Sequence, residues 1–269
     1  MLIKVFKFGG ASVRDAEGFR NVGAILKKFA EEKIAVVVSA MGKTTNALEE
    51  VVKSHHARDG KASGLLDGIR NSHISLISEL FAEPADVIDD LNETLVQVEW
   101  VLDEEPHEDY DYSYDQIVSV GELLSSQILA AYVKSLGISS KWLDIRDVIL
   151  TDNTYRDARI QWEATQKNTK EKVLPLFEEV NHIITQGFIG STSENFTTTL
   201  GREGSDYTAA ILSYCLDASS MHIWKDVPGV LTGDPRVFDE VIKLPRLSYK
   251  EAIEMTYYGA KVIHPKTIK

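Results

Sequence analysis

A chain of 269 residues, 43% of them hydrophobic, is long enough to bury a large core as one domain or two lobes. Its formal charge of −12 is concentrated: the stretch from Glu83 to Asp115 holds thirteen Asp or Glu and no Lys or Arg, reads as a solvated helical face plus loop, and leaves no basic nucleic-acid footprint elsewhere. No apolar run approaches a membrane span, the opening Met1-Leu2-Ile3-Lys4-Val5 turns polar too early for a signal peptide, and a lone Cys215 permits no internal disulfide, which together suit the reducing cytoplasm.

No internal repeat is visible, and strand and helix patterns alternate. Residues 3–8 read as a strand, followed by Gly9-Gly10 and a helix over 15–30. Residues 34–39 read as a second strand, then a polar loop and a helix from about 46. Residues 63–103 read as helical. The apolar positions 120, 123, 124, 128, 131 and 132 predict a helix over 120–136. Further strands are expected near 141–145, 181–188 and 221–225, and helices near 169–179, 206–216 and 249–258. This alternation predicts an α/β, three-layer sandwich, with a mainly parallel central sheet covered by helices on both faces. Ligands then gather at the carboxyl ends of the strands.

The segments just after the strands carry the chemistry. In KFGGASV (7–13) two glycines let backbone amides approach a phosphate, and Lys7 adds a positive charge; a plain tight turn explains the glycines equally. VVVSAMGKTTN (36–46) contains Gly42-Lys43-Thr44, but a phosphate-binding P-loop would need glycine at position 37. Val37 lies there, inside a strand, so the stretch is a strand followed by a loop in which Thr44, Thr45 and Asn46 can cap the next helix. In SVGELLS, Ser119-x-x-Glu122 reads as a capping box, although a carboxylate there could also meet a substrate ammonium. TQGFIG ends a strand at Gly187-Phe188. In TTTLGREGSDYTAA, Arg202 suits a two-pronged grip on a carboxylate, and Ser205 or Asp206 could cap a helix. IWKDVPGVLTGDPRVF and YYGAKVIHP complete the set, the second placing Lys261 just after a helix that stops at Gly259.

In this order, over residues 4–265, these motifs resemble the aspartate kinases of the amino-acid-kinase superfamily (carbamate-kinase-like fold). The resemblance implies one catalytic domain over 1–269, with an acceptor lobe at 1–193 and a nucleotide lobe at 194–269 that relatives extend further before adding ACT domains. It implies ATP and Mg²⁺ as cofactors and L-aspartate as acceptor, with 4-phospho-L-aspartate as the product on the way to lysine, threonine and methionine. Lys7 and Lys261 would contact the transferring phosphoryl group, and Asp206 would orient them or help place the substrate. Gly9, Gly10 and Ser39 would line the phosphate path. Thr45, Phe188 and Ser205 would touch the acceptor, Glu122 its α-ammonium and Arg202 its α-carboxylate. Lys225, Asp226, Leu231, Arg236 and Val262 would border the nucleotide. No protein ligand for the metal is implied, nor a nucleic-acid or membrane partner; a homo-oligomer would form through the ACT domains. Ala11, Lys225 and Leu231 depart from the family's usual Thr, Thr and Tyr. The alternatives are a kinase of another amino-acid carboxylate such as glutamate, and a silent nucleotide-binding regulatory protein.

Overall fold

The structure is a computed structural model that describes residues 2–201, 203–225, 227, 229–235, 237–258 and 267. Five parallel strands form the central sheet: β1 (Ile3–Phe8), β2 (Lys33–Val38), β3 (Ser140–Leu143), β4 (His182–Gln186) and β7 (Ser220–Trp224), in the spatial order β3-β4-β2-β1-β7. β1 and β2 lie inside the sheet and are covered on both faces, so they read as near-continuous apolar runs, IKVFKF and KIAVVV. Lys7 is the exception, a cation buried in an interior strand. The register pairs Lys7 with Val37 on one side and with Ile223 on the other.

Helices cover both faces. α6 (Val120–Ser135) packs on β2, β3 and β4, with α1 (Ala16–Lys28) against it. α9 (Gly204–Cys215) packs on β1, β2 and β7. α2 (Thr44–Ala57), α3 (Ala62–Leu80), α4 (Ala85–Asp103) and α5 (Tyr110–Val118) build up around α6, and α7 (Trp162–Asn168) and α8 (Leu176–Glu179) lead into β4. After β4 the chain makes a small antiparallel ribbon, β5 (Ile189–Ser191) with β6 (Thr197–Thr199). α10 (Tyr249–Tyr257) follows β7.

α1 shows how local chemistry sets an element. Asp15 Oδ1 accepts the Gly18 N–H at 2.9 Å, and that bond and then Arg14 hold its carboxyl below the usual range. Ala16, Phe19, Val22 and Leu26 recur at helical spacing and are buried, while Lys27 and Lys28 meet the negative end of the helix dipole.

The three-layer parallel sandwich is as expected, with local corrections. The run 63–103 is two helices, because Phe81 is extended and α4 opens at Pro84, which suits a helix start. The helix near 169–179 begins earlier, at Trp162, and passes through a π turn at Thr169–Val173. α5 and the β5–β6 ribbon had no expectation, being short and apolar on only part of their surface. The expected capping box at Ser119 is overturned. Ser119 is itself helical (φ −56°, ψ −27°) and makes no side-chain cap, so α5 runs straight on into α6. Its hydroxyl donates to Gln116 O instead. Tyr110–Ser135 is the one described helical run long and apolar enough to cross a membrane, but 72% of its most apolar window is buried inside the fold, as in a core helix.

Candidate active site

The strand ends of β1, β2 and β4 meet the start of α9. After β1, Gly10 is pressed against the loop after β2: a Cβ there would sit 2.8 Å from Ala40 O, so only glycine lets the two loops touch. Gly42 N–H donates to Gly10 O at 3.1 Å and locks the contact. At the end of β4, a Cβ on Gly187 would overlap Ser205, which brings the first turn of α9 onto the sheet.

Between these loops lies a cavity of about 590 Å³. Gly10, Ser39, Thr45, Glu122, Phe188 and Ser205 of the expected residues line it. Lys43, the residue that suggests a P-loop, holds the N-cap position of α2 without a side-chain bond and is exposed outside the lining, so Thr44, Thr45 and Asn46 lie inside the helix rather than capping it. A second concavity of about 600 Å³ runs along α4, α6 and the edge strand β3, where no expected site residue lies.

Glu122 is 3% exposed. Its Oε1 accepts the Ala40 N–H at 3.3 Å, and its buried Oε2 has no hydrogen-bond partner. Burial pushes its pKa up to about 8; the Ala40 N–H and the charge of Lys7 offset only part of that. A buried carboxylate with one oxygen unpaired, beside a cavity, is poised for a cation.

Lys7 Nζ lies 2.5 Å from Asp206 Oδ1, and Lys225 Nζ lies 3.4 Å from Asp206 Oδ2. The first is a charge contact without the angle of a hydrogen bond. Lys7 and Asp206 are both buried, so neither charge could be left alone without a large penalty. Asp206 therefore gathers two lysines, one of them Lys225, whose expected place was the nucleotide border. Neither Ser205 nor Asp206 caps α9: Glu203 holds the N-cap position in the left-handed region (φ 57°), and both residues lie in the first turn. Lys7 Nζ also lies 3.6 Å from where a Gly9 Cβ would stand, which places the ammonium over the glycine pair.

Phe188 sits at φ 71°, a left-handed conformation that is strained for a bulky side chain. Its backbone is clamped on both sides, N–H to Thr208 Oγ1 at 2.9 Å and C=O from Leu200 N–H at 2.8 Å. Leu231 is half-buried and bridges to Lys243. Arg202, Asp226, Arg236, Lys261 and Val262 lie outside the described residues.

Among the wall residues that sequence reasoning missed are Glu49, Tyr114, Arg156, Thr199 and Glu203. Tyr114 OH donates to Glu49 Oε1 at 2.8 Å, and the Arg156 guanidinium lies 4.3 Å from the centre of the Tyr114 ring. Glu49 was findable, one helical turn beyond Thr45 on the same face. The acidic stretch is largely exposed as expected, but Asp115 is fully buried.

A parallel α/β sheet thus brings together at its strand ends a glycine pair, a buried lysine–aspartate pair and a buried carboxyl group with one oxygen unpaired. Residues 3–269 match the amino acid kinase family, and the chain belongs to it. It is 35% identical over 266 residues to the lysine-sensitive aspartokinase 3 of Escherichia coli, covering 99% of this chain and 58% of that protein. It is 36% identical over 282 residues to the chloroplastic bifunctional aspartokinase/homoserine dehydrogenase 1 of Arabidopsis thaliana, covering 98% of this chain and 29% of that protein. The chain thus spans well under two thirds of the length of these relatives. The crystal structure of E. coli aspartokinase III in complex with aspartate and ADP superposes with a TM-score of 0.90 at 34% identity, covering 99% of this chain and 58% of that one.

Proposed function

We propose that this chain is the catalytic unit of an aspartate kinase, transferring the γ-phosphoryl group of ATP to the β-carboxylate of L-aspartate. The observation that carries this reading is Glu122, a buried carboxylate with Oε2 unpaired beside the cavity, with the Lys7–Asp206 pair at the strand end next to it. Glu122 would take the α-ammonium of a free amino acid, which an N-acylated acceptor lacks. Arg202 would take the α-carboxylate, a role that rests on the motif alone. The likeness to the E. coli structure, which holds aspartate and ADP, supports both substrates.

A free carboxyl group titrates near ~4, so the nucleophile is ionised at neutral pH and needs no general base. One β-carboxylate oxygen forms a bond to the γ-phosphorus as the bond from that phosphorus to the ADP oxygen breaks, giving 4-phospho-L-aspartate and ADP. The difficulty is bringing an anion to a polyanion. The Lys7 ammonium and the amides of Gly9 and Gly10 oppose that charge, most strongly as the phosphoryl group moves. Asp206 holds Lys7 and Lys225 in place. Thr45 and Ser205 line the acceptor side and can hydrogen-bond its polar groups. Mg²⁺, bound to the nucleotide's phosphates, would neutralise charge there. The residues fit that delivery, since the strand ends offer ammonium and amide donors for phosphate oxygens.

The test is hydroxylamine trapping of the acyl phosphate with ATP, Mg²⁺ and a panel of amino acids. Aspartate should give far more hydroxamate than glutamate. Equal or greater turnover of glutamate would overturn the acceptor assignment.

A further inference from the structure

We infer that Asp115 is a positioning residue for the acceptor pocket, pinning the segments that carry Thr199 and Arg156 against the same helical rod that carries Glu122. The inference rests on the acceptor pocket proposed above, and nothing in the motif order points to this residue.

Asp115 is fully buried, and both of its oxygens are engaged from outside its own helix. Oδ2 accepts the Thr199 N–H at 2.8 Å and the Arg156 N–H at 3.0 Å, and Oδ1 accepts the Thr199 hydroxyl at 2.7 Å. Thr199 and Arg156 both line the cavity. Thr199 closes β6, and Gly201, Glu203, Gly204 and Ser205 just beyond it line the same cavity as Glu122. Arg156 is held at φ 65°, a conformation a non-glycine residue keeps only when its surroundings demand it. Those surroundings are three residues of α5: Asp115 takes its N–H, Asp111 Oδ1 takes its Nη1–H at 3.1 Å, and the ring of Tyr114 lies under its guanidinium. Tyr114 in turn reaches Glu49 on α2, the helix that opens at the acceptor loop.

The spacing gives this arrangement its purpose. Because α5 continues into α6 through Ser119, positions 115 and 122 are two turns apart on one face of a single rod, about 10 Å along its axis. One carboxylate faces the place of the ammonium. The other fixes Thr199 and Arg156, which line the same cavity. Their placement relative to Glu122 is then set by one rigid element, which suits a pocket that must recognise the two α-groups of an amino acid at a fixed separation.

A merely structural knot and a positioning residue differ in what they move. Asp115→Asn removes the charge that strengthens all three bonds, and its amide NH₂ either reverses the Thr199 hydroxyl bond or displaces the two N–H donors. It should raise the KM for aspartate about tenfold or more while the KM for ATP stays within about twofold. Thr199→Val, which deletes only the hydroxyl, should raise the aspartate KM about fivefold, and Thr199→Ser should restore it. Aspartate binding measured by calorimetry without ATP should follow the same order. If Asp115→Asn fails to fold, the Thr199 pair decides. Unchanged acceptor KM and binding in both Asp115→Asn and Thr199→Val, or equal losses for ATP and aspartate, would overturn the inference. If the parent turns over and binds another amino acid in preference to aspartate, the function proposed above falls, and the same variants compared with that amino acid still decide the role of Asp115.

Discussion

Lowering the pH from 8.5 to 6 should weaken aspartate binding chiefly through Glu122, with Asp115, which burial holds at about 6, adding to the loss only at the acid end. Burial holds the Glu122 carboxyl at about 8, and the substrate ammonium is proposed to bind its ionised form. Each unit of pH below that value costs about 1.4 kcal/mol, so the aspartate affinity should fall about tenfold by pH 7 and about a hundredfold by pH 6. Binding at pH 7 should release close to one proton, which calorimetry in buffers of different ionisation enthalpy reads directly. Glu122→Gln removes the titration. Above pH 8 it should bind about ten- to a hundredfold more weakly than the parent, the loss of a hydrogen bond to a charged group. Near pH 6 the two should converge. The same pKa sets the stability of the ligand-free chain. Glu122 titrates near ~4.3 when unfolded and at about 8 when folded, so the folded state binds the extra proton between those values. Stability therefore falls as the pH rises through that window. Glu122→Gln should melt several degrees above the parent at pH 8.5, with the gap closing near pH 5. A flat aspartate affinity between pH 6 and 8 in the parent, or an unchanged slope in Glu122→Gln, would refute the reasoning.

Lys7→Ala should lower kcat with a smaller effect on the aspartate KM, since its charge counts most during transfer; an intact kcat in steady-state assays would remove it from the phosphoryl site. Asp206→Asn should also lower kcat, because two lysines lose their shared counter-ion, and should do so without raising the aspartate KM as Glu122→Gln does. Lys43→Ala should leave the ATP KM within a few-fold of the parent, whereas Thr45→Val should weaken aspartate binding by about 1–3 kcal/mol, or roughly five- to a hundredfold. ATP and aspartate titrations of both variants check this, and a collapse of ATP binding in Lys43→Ala would restore the P-loop reading. Leu26→Ala, a fully buried side chain between α1 and its neighbours, should destabilise by about 2–5 kcal/mol in urea melts without changing either KM.

The frame was legible because interior parallel strands carry little but apolar residues. Against that background Lys7 stood out, and so did the glycines that end β1 and β4. Val37 was enough to reject the P-loop. Legibility failed where one pattern serves two ends. Ser119-x-x-Glu122 has the letters of a capping box, but the backbone stays helical through Ser119, so Glu122 is free to turn into the cavity. The acidic run hid Asp115 for a related reason. A carboxylate among twelve other acidic residues looks solvated, and only the return of β6 and the 156 loop, from far along the chain, buries it. Tyr114, Arg156 and Glu49 meet through three separate elements, and no local spacing records that.

The strand order also governs how the protein comes into being. Lys7 lies on β1, which leaves the ribosome before the other described strands, but one side of that strand waits for β7, and Ser219 bonds back to Ile3 across 216 residues. β2 likewise waits for β4, with Lys33 reaching Val180 O across 147 residues. Such distant pairings make loop closure slow and leave early strands with open edges for much of synthesis. Asp206 arrives late as well, so the lysine must spend that interval hydrated. Ammonium groups at Lys4 and Lys7 on a nascent, mostly apolar strand would keep it from pairing with the wrong neighbour. The charge that opposes phosphate in the finished protein thus first serves as a guard against aggregation, and Lys7→Met combined with Asp206→Asn, which removes both buried charges together, should show itself in lower soluble yield.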